Sequence, residues 1–571
     1  MFLFDWFRSL LPLHNPIGFG AADFIALALA VLLVLAVLAR TRLEPLALRL
    51  TRNTLWTMLL LGALPIVLRL ALLPRFPAPT PSGADDFSYL LLADTLRHFR
   101  LANPMHPMRQ FFEAVFIVQQ PTYGSIFPLG QGIALALGWM IFGHPWAGVL
   151  ISMGALGAAC YWMLRGWTTP GWALAGGLLA VCEFGPLNRW MNLYWGGAVS
   201  AIAGCLVFGA LPRLKSNGRR LDAVLLGAGL GLELLTRPFE FVLLLACVVV
   251  GQVVNLRAGC QPAPGRVTNP PQVTNLAHKF AIAAPAFLPF VLLTLAQNYA
   301  VTGSFTTLPY QLSRYQYGVP TTFTIQPNPV PHLPLTAEQQ LDYRAQSIIH
   351  GESTDTPSEW MARFIDRIHF YRFFFYPPIY LVLPVFLMAL VEWRFAWLAG
   401  TVALFAIAEN FYPYFYAHYI AALTCVFLLI TVTALERVSR WSPLAARVVL
   451  YLCAAHFVFW YGLFCGSEPL LMTAGRYDTA DFINYGDPES RIRINQELAG
   501  TAGKKLVFVR YGPQHMFHEW IHNAADIDSA DVVWAADLGD TADRQLRAYY
   551  PSRSVWLVEP DAKPPRLIPY H

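Results

Sequence analysis

The residues best placed to do chemistry are two neighbouring carboxylates in Gly83-Ala84-Asp85-Asp86-Phe87-Ser88-Tyr89, at the head of a helix-forming stretch that runs to Arg100. One aspartate at such a place is ordinary, because its oxygen caps a free backbone N–H. Arg97, His98 and Arg100 at the far end would complement the helix dipole. A cap accounts for one acid and leaves the second without a reason. Two adjacent acids suit a general base or a metal ligand. Beside a low-dielectric boundary a carboxylate is pushed toward its neutral form, which favours proton abstraction near neutral pH.

The surrounding chain supplies that boundary. Of 571 residues, 56% are hydrophobic and only 13% charged, whereas soluble domains carry about 25% charged residues. Apolar runs of spanning length recur at 21–39, 54–73, 126–142, 146–164, 172–184, 197–211, 221–236, 239–255, 280–296, 374–391, 395–411, 415–435 and 447–465. Roughly 20 apolar residues cross the hydrocarbon core as a helix. The expected fold is therefore an all-α polytopic transmembrane bundle of about 12–13 hydrophobic segments, with extracytoplasmic loops and a small C-terminal α/β domain. The net charge of +5 is too mild for a nucleic-acid partner. Eight cysteines, none in CxxC spacing, read as small apolar packers.

Sidedness follows from short basic loops, which stay cytoplasmic. Four qualify: Arg40, Arg42, Arg49 and Arg52; Arg213, Lys215, Arg219 and Arg220; Arg257, Arg266 and Lys279; Arg437, Arg440 and Arg447. This places 74–125, 297–373 and the tail from 466 outside. An odd number of crossings must then separate 74–125 from 212–220, yet four runs lie between them. The short run 172–184, bracketed by Pro170 and Gly185-Pro186, reads as a half-crossing segment. The alternative is 126–142. The expected division is an N-terminal segment 1–53, a core 54–296, an outside loop 297–373, C-terminal helices 374–465 and a tail 466–571. Trp360 to Tyr376, with Arg363, Arg367 and Arg372 among its aromatics, suits a helix on the membrane surface. In the tail, strands are expected at 506–511, 531–535 and 554–558, and a helix at 541–550. Spacings of three and four would put His515, His518 and His522 on one helix face. The pattern is not HExxH, and a surface or acceptor-recognition role is preferred to zinc.

Asp85-Asp86-Phe87-Ser88-Tyr89 resembles the Asp-(Glu or Asp)-x-x-Tyr motif in the first extracytoplasmic loop of the C-type (GT-C) glycosyltransferases, in the branch of protein O-mannosyltransferases and lipid A aminoarabinose transferases. Gln120-Pro121-Thr122-Tyr123 with Phe127-Pro128-Leu129 is similar to the stretch that opens that family's next helix. Leu230-Gly231-Leu232 with Leu235-Thr236-Arg237-Pro238 resembles a further family segment. The resemblance covers residues 54–255. Asp86 stands where many relatives have Glu, which leaves a divalent cation open, and Arg237 stands where Lys is common. The span before residue 54 is additional.

The resemblance implies an inverting hexosyl- or pentosyltransferase that moves a sugar from a polyprenyl phosphate to a glycan, lipid or protein acceptor outside the cytoplasm. It implies Asp85 as base, with Asp86 supporting it and Tyr89 nearby. The leaving lipid phosphate gains charge, and fixed cations stabilise that charge without reorganisation. Arg237, flanked by Glu233 and Glu240, and Arg189 are the candidates, against a plain reading as arginines that snorkel to headgroups. Around Arg189, Trp190, Asn192, Tyr194 and Trp195 could contact a sugar or simply anchor the interface. His106 is a candidate for the acceptor pocket. Few lysines beside many Arg, Ala and Leu suggest a GC-rich bacterial genome, hence an inner membrane with the active face in the periplasm. Two other readings compete: a transporter or flippase for a lipid-linked sugar, and a non-catalytic envelope assembly protein.

Overall fold

A computed structural model of the chain describes residues 21–570, apart from 82, 217–218, 260–271, 320–321, 352–354, 467–487 and 516–517. The apolar runs form long helices: α1 (Ala21–Leu50), α2 (Thr54–Ala71), α4 (Leu129–Phe142), α5 (Trp146–Leu164), α6 (Pro170–Phe184), α7 (Ala198–Ser216), α8 (Arg220–Thr236), α9 (Pro238–Gly259) and α10 (Gln272–Thr302), with α3 (Ala84–Arg97) in the segment between α2 and α4. Later come α14 (Trp393–Glu409), α15 (Thr424–Trp441) and α16 (Pro443–Cys465). Pro170, Pro238 and Pro443 each open a helix, where a missing N–H costs nothing and the fixed φ is already helical. Among the described residues, six stretches are long and apolar enough to cross a membrane.

Contacts at the helix ends divide the bundle into two ends. The Arg165 guanidinium at the end of α5 donates to the Thr54 hydroxyl at the start of α2, 3.0 Å away. At the other end, Arg69 of α2 stacks over Trp146 of α5 at 4.7 Å. Helix α6 starts beside the end of α15, where Thr168 donates to Glu436 at 3.1 Å. Helix α7 starts beside the end of α8, where Ser200 donates to Glu233 at 2.9 Å. So α5, α6 and α7 run alternately from one end to the other. Helix α4 does not. A Cβ on Gly130 at its start would sit 2.1 Å from the Thr236 hydroxyl, and Arg97 stacks on Trp139 near its end at 4.3 Å. Both of its ends lie at the α3 end of the bundle. The geometry expected of 172–184 is thus that of 126–142, the alternative segment. Helix α4 crosses α5 where Gly138 and Gly148 meet, since a Cβ on Gly138 would lie 2.0 Å from the Gly148 nitrogen. Small residues permit such backbone contact between membrane helices.

The run 374–391 is not an α-helix. It forms three successive 3₁₀ turns, His369–Phe374, Pro377–Leu381 and Leu383–Ala389. Pro377, Pro378 and Pro384 lack the N–H an α-helix needs and clash with its preceding turn, whereas short i→i+3 turns accommodate them. The loop 297–373 is likewise less extended than its composition suggested. It holds α11 (Pro309–Tyr317), α12 (Ala337–His350) and α13 (Pro357–Ile368). Thr336 and Gln339 cap α12 reciprocally. Arg363 and Arg367 of α13 turn inward to backbone carbonyls at 409–413 rather than toward a membrane surface.

The tail carries α17 (Pro488–Ala499), α18 (Asp540–Tyr549) and the strands Lys505–Val509, Val532–Ala536, Ser554–Glu559 and Arg566–Pro569. The first three strands pair in parallel and the last adds antiparallel to the third. The expected strands and helix are all present. The unexpected feature is that the tail shares a core with the segment between α2 and α4. Leu91, Phe111, Phe112 and Ile117 pack with Leu506, Phe508, Val533 and Leu546.

Candidate active site

Helix α3 begins at Gly83, which serves as the N-cap in extended conformation. Asp85 and Asp86 therefore lie within the first turn rather than at the cap, where the helix dipole favours negative charge. The two acids have different surroundings. Asp86 is buried, and its Oδ1 accepts the Tyr194 backbone N–H at 3.1 Å, which ties α3 to the 188–195 segment. Asp85 keeps a partly open face. Its carboxyl is pushed up to about 7, first by burial within the protein and then by the like charge of Asp86. Arg237 opposes the shift and Asp342 adds to it. A carboxylate poised there exchanges a proton readily at neutral pH.

Arg237 is the C-cap of α8, at the break before Pro238 opens α9. Its guanidinium lies over the Tyr419 ring at 4.5 Å, and its Nη1 is 4.0 Å from the Glu240 carboxylate one turn along α9. Its field reaches Asp85 and Tyr89. Tyr89 stacks on Phe127 at 4.2 Å, and Phe127 meets Tyr310 edge-on at 5.7 Å. Burial pushes the Tyr89 phenol up to about 12, so it remains a donor. Asp85, Tyr89, Arg237 and Glu240 thus come together at the α3 end of the bundle.

Arg189 and Trp195 form a neighbouring group. The Arg189 guanidinium lies 5.6 Å from the Trp195 ring and 5.7 Å from that of Tyr416. Trp195 meets His418 edge-on at 5.0 Å. The other residues of this stretch hold the scaffold. Asn192 is fully buried, accepts from Arg69 at 2.7 Å and donates to the Pro186 and Asn188 carbonyls. Tyr194 is buried and donates to the Pro79 carbonyl at 2.7 Å. Trp190 packs against Phe184 and Phe373. With their polar atoms bonded to backbone and to Arg69, Asn192 and Tyr194 are structural rather than substrate-facing. His106 is displaced further. Its Nε2 lies 3.1 Å from Asp528 of the tail and its Nδ1 accepts the Met108 N–H, so it secures the tail rather than lining an acceptor pocket.

The tail histidines do not share a helix face, because the described residues between 511 and 525 are not helical. His515 stacks on Tyr511 and faces Asp561 at 2.8 Å, while the His522 ring packs tilted against Phe87 at 4.5 Å. Among the described residues, no three His, Cys, Asp or Glu are arranged to hold a metal ion.

Several site residues were not anticipated. Tyr412, Tyr414 and Tyr419 descend from the turn after α14, and both Tyr414 and Tyr419 interact electrostatically with Asp85. Asp342 comes from α12 and Tyr310 from α11. The signal was present in Glu409-Asn410-Phe411-Tyr412-Pro413-Tyr414-Phe415-Tyr416, an acid followed by dense aromatics, but hydropathy windows absorbed it into span ends.

No family model matches the sequence, and no curated protein does. Solved structures do resemble it. ArnT from Cupriavidus metallidurans bound to undecaprenyl phosphate aligns with a TM-score of 0.51 at 10% identity, covering 88% of this chain and 92% of that one. The same protein in the apo state gives 0.49 at 11% identity with equal coverage. The apo oligosaccharyltransferase of Archaeoglobus fulgidus gives 0.40 at 12% identity, covering 80% of this chain and 62% of that one. The chain shares the fold of ArnT.

Proposed function

We propose that this protein is a membrane glycosyltransferase in which Asp85 is the general base and the donor is a sugar on a polyprenyl phosphate. Asp85 takes the proton of the acceptor nucleophile. The nucleophile forms a bond to the anomeric carbon from the face opposite the phosphate, and the carbon–oxygen bond to phosphate breaks with inversion. The electron pair leaves on the polyprenyl phosphate, whose growing charge Arg237 stabilises as a planar donor fork. Tyr89 is a neutral donor beside that path. The observation that carries the reading is the pairing of a carboxyl pushed toward its neutral form by burial and a like charge with a fixed guanidinium at one end of this fold.

Two features support the lipid-linked donor. ArnT, which shares the fold, has been solved with undecaprenyl phosphate bound. In this chain an apolar cavity of about 220 Å³ lies among Phe364, Ile368, Tyr371, Ala406 and Phe415, with Arg367 at its wall. Phe415 follows the site residue Tyr414 directly. Arg49, Arg165, Arg213 and Arg437 gather at the opposite end, so the positive-inside rule supports a site facing out of the cytoplasm, the periplasm in a bacterial inner membrane. The test is turnover of a panel of labelled polyprenyl-phosphate sugars by the reconstituted chain. Transfer, or slow donor hydrolysis, with an inverted anomeric centre is expected. Failure of the folded protein to turn over any donor, or a retained configuration, would overturn the reading.

A further inference from the structure

A second polar site lies at the end of the bundle opposite Asp85. A cavity of about 370 Å³ opens between the loop before α6, the start of α14 and the end of α15. Three arginines line it: Arg394, Arg437 and Arg440. Glu392 bridges two of them, at 2.8 Å from Arg394 and 2.6 Å from Arg437. Glu436 pairs with Arg440 at 3.2 Å and accepts from Thr168 at 3.1 Å. Three positive groups against two negative ones leave a surplus of one positive charge. A guanidinium has five N–H donors, and each carboxylate engages only some of them. The acids therefore fix the forks in place without exhausting them.

Two features of the backbone and surface add to this. The N-terminus of α6 contributes Thr168 and Thr169 to the same cavity. Thr169 is the N-cap but makes no side-chain capping bond, so the positive end of that helix dipole adds to the arginines. Beside the polar mouth the surface becomes apolar. Trp393 precedes Arg394 and is exposed, as are Val391 and Leu387 before it and Leu404 and Ile407 further along α14. A polar, net-positive hollow at the bilayer boundary, continuous with an exposed apolar ridge, matches a molecule with an anionic head and hydrocarbon chains.

We propose that this cavity binds the phosphate of an anionic glycerophospholipid, with the acyl chains lying along α14. Arg394 and Arg440 bind the phosphate, and Arg437, held by Glu392, sets the floor. The single surplus charge distinguishes a net-negative headgroup from a zwitterionic one that carries the same phosphate. The site does not depend on the transfer reaction.

The test uses the full chain in nanodiscs of phosphatidylcholine doped with phosphatidylglycerol, followed by gentle extraction and native mass spectrometry. The wild type is expected to retain phosphatidylglycerol in preference to phosphatidylcholine. Retention should fall about fivefold for each arginine removed in Arg394→Gln/Arg440→Gln. Equal retention by wild type and variant would overturn the proposal. So would displacement of the lipid by inorganic phosphate or glycerol 3-phosphate as readily as by added phosphatidylglycerol, since that would mark a free-phosphate site. If the double variant does not fold, Arg440→Gln alone decides, because that side chain is 65% exposed and its replacement leaves the packing intact. Loss of retention in it supports the lipid site, and unchanged retention overturns it.

Discussion

Asp85 and Asp86 are adjacent and chemically identical, yet the fold gives them separate tasks. Asp86 is tied to the Tyr194 amide, and Asp85 is left with a carboxyl near 7. Activity that needs the ionised form of Asp85 should rise through that pH and fall about tenfold per unit below it. The neighbours set where this limb lies. Asp342→Asn removes a like charge, which favours ionised Asp85, so the acid limb should move to lower pH. Arg237→Gln removes an opposing charge and should move it to higher pH. The same change should slow transfer by about 10²–10³-fold through loss of leaving-group stabilisation. A pH–rate profile of each variant checks both signs, and an unmoved limb in both would disconnect Asp85 from the observed step. The motif around Asp85 and the break at Arg237-Pro238 were legible in the sequence because both are local. Asp342 was not, because it lies more than 200 residues away on a helix whose composition reads as an ordinary polar loop.

At the scale of elements, the turn between α14 and α15 delivers the tyrosines. It is held from outside by α13. Arg367 is buried and donates to the carbonyls of Glu409, Tyr412 and Pro413, at 2.6, 2.6 and 2.9 Å. Arg367→Ala would leave these carbonyls short of their donor. It should cost about 1.5–3 kcal/mol for each charged hydrogen bond not replaced by water. The expected result is a lower Tm together with a lower kcat, because Tyr412 and Tyr414 lose their support. Loss of stability with unchanged kcat would show that the turn does not position the site. Sequence reading found arginines among aromatics here and inferred a surface helix. The pattern was correct and the direction was not, since periodicity does not say which neighbour an arginine faces. The run 374–391 has a related lesson: hydropathy located an apolar segment, and its prolines decided that the segment could not be an α-helix.

Across the whole molecule, the tail and the segment between α2 and α4 pack as one body on the site end of the bundle. Phe87, next to Asp86, lies between Arg491 at 4.3 Å and His522 at 4.5 Å. Asp94 accepts the Ala525 N–H at 2.8 Å, and Glu519 accepts that of Val115 at 3.2 Å. Burial and the Arg491 charge push His522 down to about 3, so it packs against Phe87 as the neutral ring at physiological pH. Arg491→Gln should loosen this seat, raising hydrogen exchange across 85–97 and lowering kcat more than it raises KM. Unchanged exchange there would mean that the tail does not steady the helix. Sequence reading found the strands of this tail as runs rich in Val and aromatics. It did not find the docking, because contacts spanning about 400 residues leave no local signature.

The central claim is that Asp85 is the base of a transfer reaction at this site. It is tested most directly by comparing wild type with Asp85→Asn, both purified and reconstituted, in sugar transfer from a labelled polyprenyl-phosphate donor. Removing a general base should lower the rate by about 10²–10⁴-fold while the thermal unfolding profile stays close to that of wild type. Equal rates from the two folded proteins would contradict it.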